Sequence, residues 1–282
     1  MAAPNPFDVG RVGRPVVVEA DEHGRRVDFL MSSKILRSPM TCRLILLLAL
    51  ATLSGIAAAG PPYVSDDPEP TDFGHYEIYL FANGTDTRDG SSGSYGIDFN
   101  YGATPDLQLT AVFPVEYENP GGASSFSGLG NIELAAKYRF LHQADAGWDV
   151  AFFPRLFLPS ASPHAGEKHV SLLLPLWLGR DWGSWSTFGG GGCVIGRSGD
   201  SQNYCLAGWA LTRAVARNLK LGAEIVHQTP DTRGGHASTA IGAGLLCDLN
   251  DNFHLLAYAG PGLQNAAETG RYSWYASILW TF

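Results

Sequence analysis

The sequence is poor in charge and in cysteine. Of its 282 residues only 16% are charged, and 27 acidic residues outnumber 19 basic ones, which gives a formal net charge of −8. A chain of this sign is not expected to bind nucleic acid. Its 4 cysteines show no CxxC or Cys/His spacing, so neither a disulfide scaffold nor a zinc site is indicated. Apolar residues make up 45% of the chain, which excludes disordered and collagen-like proteins.

The amino-terminal region has the pattern of a targeting segment. Leu44–Ala59 is an apolar run that follows basic residues and ends on three alanines, as a signal peptide does, so residues 31–59 are predicted to be one. A membrane anchor is the alternative, although the run is short for a membrane-spanning helix. Residues 1–30 fit no part of a signal. They are interpreted as a non-native stretch before a start at Met31 or Met40, or as a disordered extension.

From residue 74 to residue 282 apolar and polar side chains alternate with a period of two. Such a pattern separates the two faces of a strand, whereas a helix would scatter the apolar residues around its circumference. Each segment has about the 9–11 residues that a tilted transmembrane strand needs. The predicted fold is all-β, a transmembrane antiparallel up-and-down β-barrel of about 12 strands. The predicted strands are 75–82, 95–103, 107–117, 130–141, 148–158, 169–179, 185–196, 204–213, 219–227, 236–247, 253–261 and 271–282.

The predicted connections alternate between short turns and longer polar loops, the first two loops being 83–94 and 118–129. Outer-membrane barrels have short periplasmic turns, long external loops and an even number of strands. We therefore expect a protein of the bacterial outer membrane, exported through its signal peptide, with residues 60–73 as a periplasmic lead-in. A soluble β-sandwich or secreted barrel is the alternative, since alternation alone does not distinguish lipid from a protein core. Aromatic residues near the strand ends favour the membrane barrel.

Three stretches of the sequence carry a resemblance to a known family. Pro61–Gly84, Phe99–Tyr117 and Gly128–Phe140 resemble outer-membrane transporter proteins associated with the meta-pathway of phenol degradation. The final strand, which ends on Phe282, resembles the signal by which the barrel-assembly machinery of Gram-negative bacteria recognises its clients. The resemblance implies a porin-like channel in contact with membrane lipid, with aromatic or other apolar nutrients as candidate solutes. It implies no catalytic residues.

Charged residues on the second face of the strands are the candidate lumen lining. Buried charge is costly unless it is paired or hydrated, so they indicate either a wet pore or an ion-pair network that fills the barrel. The predicted function is passive passage of small solutes, and the alternative is a closed structural or surface-binding barrel without transport. Four of the charges, on adjacent strands, are predicted to form a mixed-sign constriction: Glu133, Lys137, Arg139 and Arg155. The remaining candidates are Glu77, Asp98, Glu116, Asp149 and Glu224.

Cys193 and Cys205 are equally distant from Gly199, in the loop predicted between two strands, so strand pairing would place them opposite each other. Export to an oxidising compartment permits a disulfide, but an opposite position does not guarantee suitable geometry, and a bridge and two free thiols both stay open. The histidines are dispersed and no GxSxG motif occurs, so no enzyme is predicted. No metal, nucleotide or prosthetic group is expected either.

Overall fold

The computed structural model describes residues 62–163 and 165–282, so the amino-terminal extension and the signal peptide lie outside the described residues. The described chain forms one antiparallel sheet with two helices of a single turn. Its elements in chain order are β1 (Tyr76–Asp86), β2 (Gly90–Thr104), β3 (Leu107–Pro120), β4 (Phe126–Leu129), β5 (Glu133–Leu141), α1 (Gln143–Ala146), β6 (Asp149–Phe152), β7 (Arg155–Phe157), β8 (Ser171–Trp182), β9 (Trp185–Ile195), β10 (Tyr204–Ala216), β11 (Leu219–Gln228), β12 (Ser238–Asp248), β13 (Phe253–Gln264), α2 (Ala266–Thr269) and β14 (Tyr272–Thr281).

The sheet closes on itself because β1 pairs antiparallel with β14. β4 and β5 both pair with β3, and β6 and β7 both lie between β5 and β8. Each of these two pairs is therefore one wall strand with an interruption, and the wall has twelve strands. This confirms the predicted closed barrel of 12 antiparallel strands. Among the described residues, no helix is long and apolar enough to cross a membrane.

The two interruptions lie beside prolines. Pro154 separates β6 from β7, and its ring nitrogen cannot donate a hydrogen bond to the neighbouring strand. The register with β5 and β8 is the same on both sides of it. Between β4 and β5 the wall strand carries one extra residue opposite Pro114, whose carbonyl accepts the N–H of Gly130 at 2.9 Å. The wall between β3 and β8 is thus less regular than the rest of the barrel.

The first two external connections are shorter than the sequence predicts. The connection between β1 and β2 is only 87–89, and that between β3 and β4 is 121–125, so the predicted long loops 83–94 and 118–129 are wrong. The strands continue because their polar side chains pair across the hairpin: Asn83 Nδ2 donates to Ser94 Oγ at 3.0 Å. The strict alternation of short and long connections is also wrong, since the periplasmic connection 142–148 is longer than 87–89.

The two faces of the wall have different surroundings. On the outer face Leu80 lies opposite Ile278, and both are about half exposed; one residue along, Tyr79 lies opposite Leu279, and both are buried inside the barrel. Large apolar side chains are exposed on the outer face of nearly every strand, which is the apolar band that lipid covers in an outer-membrane barrel. The protein is placed in the bacterial outer membrane by this band together with the closed fold. A disulfide joins Cys193 and Cys205 on that outer face, and Cys247 is free.

Candidate functional site

Residues 62–73 lie inside the barrel, and we call them the luminal arch. The sequence predicted a periplasmic lead-in here, yet Ser65 and Thr71 are each only 1% exposed, and the residues between them contact strands on two sides of the lumen. The arch returns to the wall at Phe73, which forms a parallel bridge with Gly102 of β2. The arch lies inside the barrel because its carboxylates and backbone N–H groups bind charged side chains of the wall.

The strongest of these attachments is made by Asp66. Its Oδ1 accepts a hydrogen bond from Lys137 Nζ at 2.9 Å, and its Oδ2 accepts one from Arg155 Nη2 at 2.8 Å. Lys137 is 1% exposed, so its charge depends on this pairing. Both cations also lie over the ring of Phe153, with Nζ 5.0 Å and the guanidinium carbon 4.4 Å from its centroid. One carboxylate of the arch therefore serves two wall cations.

Asp67 contacts the same ammonium group less closely, with its Oδ1 3.7 Å from Lys137 Nζ. Burial raises the pKa of Asp67 to about 8, although Lys137 acts in the opposite direction. At neutral pH Asp67 therefore keeps its proton in most molecules, and Asp66 is the closer of the two carboxyl groups to Lys137. The carbonyl of Glu69 accepts a further hydrogen bond from Nζ at 3.2 Å.

The arch is fastened to the opposite wall by Glu224 of β11. Its Oε1 accepts the backbone N–H of Ser65 at 2.6 Å, and its Oε2 accepts that of Val64 at 3.1 Å. Hydrogen bonds to a charged acceptor are shorter and stronger than neutral ones. Because Asp66 and Glu224 hold neighbouring parts of the arch from different walls, this part of the chain crosses the lumen.

Tyr63 packs into a socket next to this crossing. Its ring meets Phe188 and Tyr258 edge-on, with centroids 5.7 Å and 5.8 Å away. The socket has room because the wall carries Gly222 and Gly244 at this point: a Cβ on Gly244 would lie 2.9 Å from the ring, and one on Gly222 would clash with the hydroxyl. The two glycines therefore shape the wall for this side chain.

A third attachment is made by Thr71. Its backbone N–H and its hydroxyl both donate to Gln108 Oε1, at 2.8 Å and 3.1 Å. The amide nitrogen of Gln108 donates in turn to Asn100 Oδ1 at 2.7 Å and to Thr110 Oγ1 at 3.0 Å. This network of buried amides and hydroxyls joins the arch to β2 and β3 on that side of the lumen.

A cavity of about 290 Å³ adjoins the arch in the middle of the barrel. Asp66 and Tyr63 of the arch line part of it, and the rest is divided between charged and apolar residues of the wall. The charged and polar part is Glu77, Asp98, Asn100, Gln108, Thr110, Glu133, Lys137 and Arg155. The apolar and aromatic part includes Tyr79, Phe153, Leu173, Trp177 and Leu206. An apolar cavity of roughly 150 Å³ is enough to take up benzene, so the volume here suits a substituted monocyclic solute.

A second cavity, of about 430 Å³, lies toward the external loops, and we call it the vestibule. Glu116, Asn131, Phe157 and Tyr204 are among the residues that line it. It shares one lining residue with the central cavity, Glu133. The two spaces therefore adjoin at Glu133, and a solute that enters from outside meets this carboxylate before the arch.

The nine charges predicted from sequence fall into four groups. Glu77, Asp98, Glu133, Lys137 and Arg155 line the central cavity, and Glu116 lines the vestibule. Glu224 holds the arch. Arg139 and Asp149 lie apart from both cavities, with Arg139 Nη1 3.9 Å from Asp149 Oδ1 and its Nε 3.5 Å from Asp106 Oδ1 in a periplasmic turn. Of the four residues predicted to form a constriction, Glu133, Lys137 and Arg155 thus line the same cavity, whereas Arg139 does not.

Sequence reasoning missed two parts of the site. One is the arch, because its carboxylates were assigned to the periplasm. The other is the apolar part of the central cavity, which includes Leu173 and Trp177 of β8. A signal for it was present, since residues 169–179 carry apolar side chains on both faces of the predicted strand.

A closed antiparallel barrel with a lipid-facing apolar band, a largely polar lumen and an internal chain segment has the architecture of an outer-membrane channel. The particular family is defined by its sequence. Residues 78–278 match the family described as putative MetA-pathway of phenol degradation, and the chain belongs to that family. No curated relative matches the sequence.

Solved structures share this fold at low sequence identity. An outer-membrane channel from Pseudomonas putida F1 superposes with a TM-score of 0.63 at 16% identity, covering 77% of this chain and 98% of that one. The KdgM porin superposes with a TM-score of 0.52 at 10% identity, covering 73% of this chain and 99% of the porin. Both support the barrel architecture.

Proposed function

We propose that the protein is an outer-membrane channel for the passive passage of small solutes, and that the luminal arch controls its periplasmic half. The observation that carries the proposal is the series of adjoining spaces inside the wall: a vestibule, a central cavity, and the arch across the barrel next to it. A barrel with only a structural role has no need of two such cavities. The two similar structures described above, an outer-membrane channel and a porin, support the same function.

The composition of the central cavity supports aromatic or largely apolar nutrients as solutes. Phe153, Trp177 and Leu173 offer a face for an apolar body, while the carboxylates and amides across the cavity accept or donate hydrogen bonds. The family name, which refers to phenol degradation, supports the same class.

A reversible cross-link tests whether movement of the arch controls passage. A Cβ placed on Gly208 would touch the hydroxyl of Ser65, so the pair Ser65→Cys and Gly208→Cys is positioned to form a disulfide between arch and wall. We expect oxidation to lower single-channel conductance and liposome swelling, and a reductant to restore both. Wild-type protein under the same reductant is the control, because it contains the bridge between Cys193 and Cys205.

The alternative, a closed barrel without transport, makes a different prediction. Neither the wild type nor a variant with a loosened arch, such as Glu224→Gln, would then conduct ions or swell liposomes. That result, obtained with correctly folded protein, would overturn the channel proposal.

We further propose that the last strand is the signal for assembly by the barrel-assembly machinery. Phe282 is 45% exposed and forms an aromatic cluster with Trp280 and Tyr76, whose ring centroids lie 4.4 Å and 5.3 Å away. Phe282→Ser should lower the amount of protein in the outer membrane. The same variant refolded in detergent should keep the stability of the wild type within about 1 kcal/mol, as expected for an exposed position.

A further inference from the structure

Glu133 occupies the boundary between the vestibule and the central cavity. It is the first residue of β5, directly after the interruption in the wall strand, and it is 9% exposed. Its Oε1 is buried and accepts no hydrogen bond from a described residue. Because Glu133 borders both cavities, a solute that passes from one to the other comes close to its carboxylate, and buried polar atoms left unpaired are uncommon enough to call for an explanation.

The cation nearest to Glu133 is held mainly by another group. Arg155 Nη1 lies 3.6 Å from Glu133 Oε1, beyond a good hydrogen bond, while Arg155 Nη2 donates to Asp66 of the arch at 2.8 Å. The guanidinium also lies over Phe153. Two carboxylates therefore compete for one guanidinium, and the carboxylate of the arch has the closer contact.

We propose that Glu133 is a selectivity-determining residue of the channel, and that Asp66 of the arch positions Arg155 so that Glu133 stays available to solutes. When Asp66 holds Arg155, the negative charge at the boundary favours cationic solutes and neutral hydrogen-bond donors over anions. When Asp66 is absent, Arg155 turns to Glu133 and neutralises it. This inference rests on the proposed function for its transport consequence, whereas the competition for Arg155 is a property of the folded protein alone.

The competition is tested by the thermal unfolding of purified protein in detergent. Glu133→Gln is measured in three backgrounds: wild type, Asp66→Asn and Glu224→Gln. Asp66→Asn and Glu224→Gln both loosen the arch, but only the first removes a partner of Arg155. In the Asp66→Asn background Glu133 is the remaining carboxylate beside Arg155 among the described ion pairs.

We therefore expect Glu133→Gln to lower the unfolding midpoint by about 5 °C more in Asp66→Asn than in the other two backgrounds, because it removes the last carboxylate within 4 Å of a buried guanidinium and leaves only the more distant Asp98. An equal shift in all three backgrounds would overturn the competition. The outcome does not depend on whether the protein conducts.

The selectivity is tested in planar bilayers under a salt gradient. Glu133→Gln should lower the ratio of cation to anion permeability about 25-fold, because one unit charge at about 4 Å in water changes the occupancy of a cation and of an anion about fivefold each, in opposite directions. Glu118→Gln is the matched control, since this external side chain lies outside both cavities. Conductance with an unchanged permeability ratio in Glu133→Gln would overturn the selectivity role alone. Absence of conductance in every variant would count against the proposed function instead.

Discussion

The two halves of the barrel wall present different surfaces to the lumen. From β1 to β7 the inner face is mainly polar, and its buried side chains pair with one another or with the arch. From β8 to β14 the inner face is mainly apolar or aromatic, with Glu224 as the main exception. Buried members of the polar half include Glu77, Asn100, Gln108, Thr110, Glu133 and Lys137. Buried members of the other half include Leu173, Trp177, Phe188, Leu246, Leu256, Tyr258 and Leu279.

This difference explains how one short segment, the arch, is attached to two sides of the barrel. Asp66 is held on the polar half by two cations, and Tyr63 is held on the apolar half by aromatic contacts. The first attachment depends on charge, so it responds to removal of a counter-charge. The second depends on shape and burial, so it responds to changes in side-chain volume. The stability of the polar half should therefore respond to the loss of a counter-charge, and that of the apolar half to a change in side-chain volume.

The largest effect is expected on the polar half, at Lys137. Lys137→Met removes a fully buried cation and leaves Asp66 and Asp67 without the ammonium group between them. Breaking a buried ion pair from one side typically costs about 3–5 kcal/mol, and we expect a loss of this size in the free energy of unfolding. Denaturant titration in detergent measures it.

The control removes the other side of the same pair. Adding Asp66→Asn to Lys137→Met should cost less stability than Asp66→Asn costs in the wild type, because Asp66 then has only one of its two cations, Arg155, left to lose. If the double variant is less stable than Lys137→Met by the full cost of Asp66→Asn alone, the two groups act independently and the account of the polar half is wrong.

A slightly smaller effect is expected on the apolar half, at Leu256. This side chain is 0% exposed and packs in a cluster with Tyr79, Leu246 and Leu279. Leu256→Ala should cost about 2–5 kcal/mol through lost burial and the cavity that remains. The cost should be the same at low and high salt, because no charge is involved. A clear dependence on salt would show that the cluster is coupled to the polar half.

The barrel wall could be predicted from the sequence and the arch could not. The wall follows from a local pattern, whereas the arch depends on contacts between residues that lie far apart in the chain. A period of two is a local signal, so the strands and the inward direction of residues such as Glu133 and Lys137 could be read directly. The arch has no period. Its partners lie far along the chain: Asp66 is 71 residues from Lys137, and Ser65 is 159 residues from Glu224.

The sequence also left the pairing of the lumen charges undetermined. Alternation places Arg155 on the inner face, but it does not say whether Glu133, Asp149 or a residue outside the strands balances it. The structure assigns Arg155 to Asp66 and Glu133, and Asp149 to Arg139. Register between neighbouring strands decides contacts within the wall, whereas only the path of the arch decides the contact with Asp66.

A smaller effect is expected where the arch meets the apolar half. Gly244→Ala places a methyl group about 2.9 Å from the ring of Tyr63, so either the ring or the wall must move. Overpacking of this kind costs about 1–3 kcal/mol. The polar attachments of Asp66 remain, so the barrel should stay folded while the arch loosens and open-channel conductance rises. Ser198→Ala, at an exposed position of the external connection 196–203, tests for general effects of substitution.

The smallest effect is expected at the periplasmic rim of the polar half. His142 Nε2 lies 2.7 Å from Asp106 Oδ1, and this hydrogen bond, with help from Arg139, holds the pKa of Asp106 below its ordinary value of 3.8. An acid whose pKa is lowered by folding adds stability above its unfolded pKa, and that stability is lost as the pH falls through the folded pKa. Because Asp106 is partly exposed and screened by water, the contribution should be below about 1 kcal/mol.

Thermal unfolding between about pH 5 and about pH 3 tests this, across the range in which a free aspartate titrates. The wild type should lose stability more steeply than His142→Ala over this interval, and the two should converge at its acidic end. Leu256→Ala, which removes no part of the pair between His142 and Asp106, should keep the acid dependence of the wild type. If His142→Ala also keeps the acid dependence of the wild type, the hydrogen bond between His142 and Asp106 makes no difference to the titration of Asp106. The pH response of the polar half then comes from its buried residues.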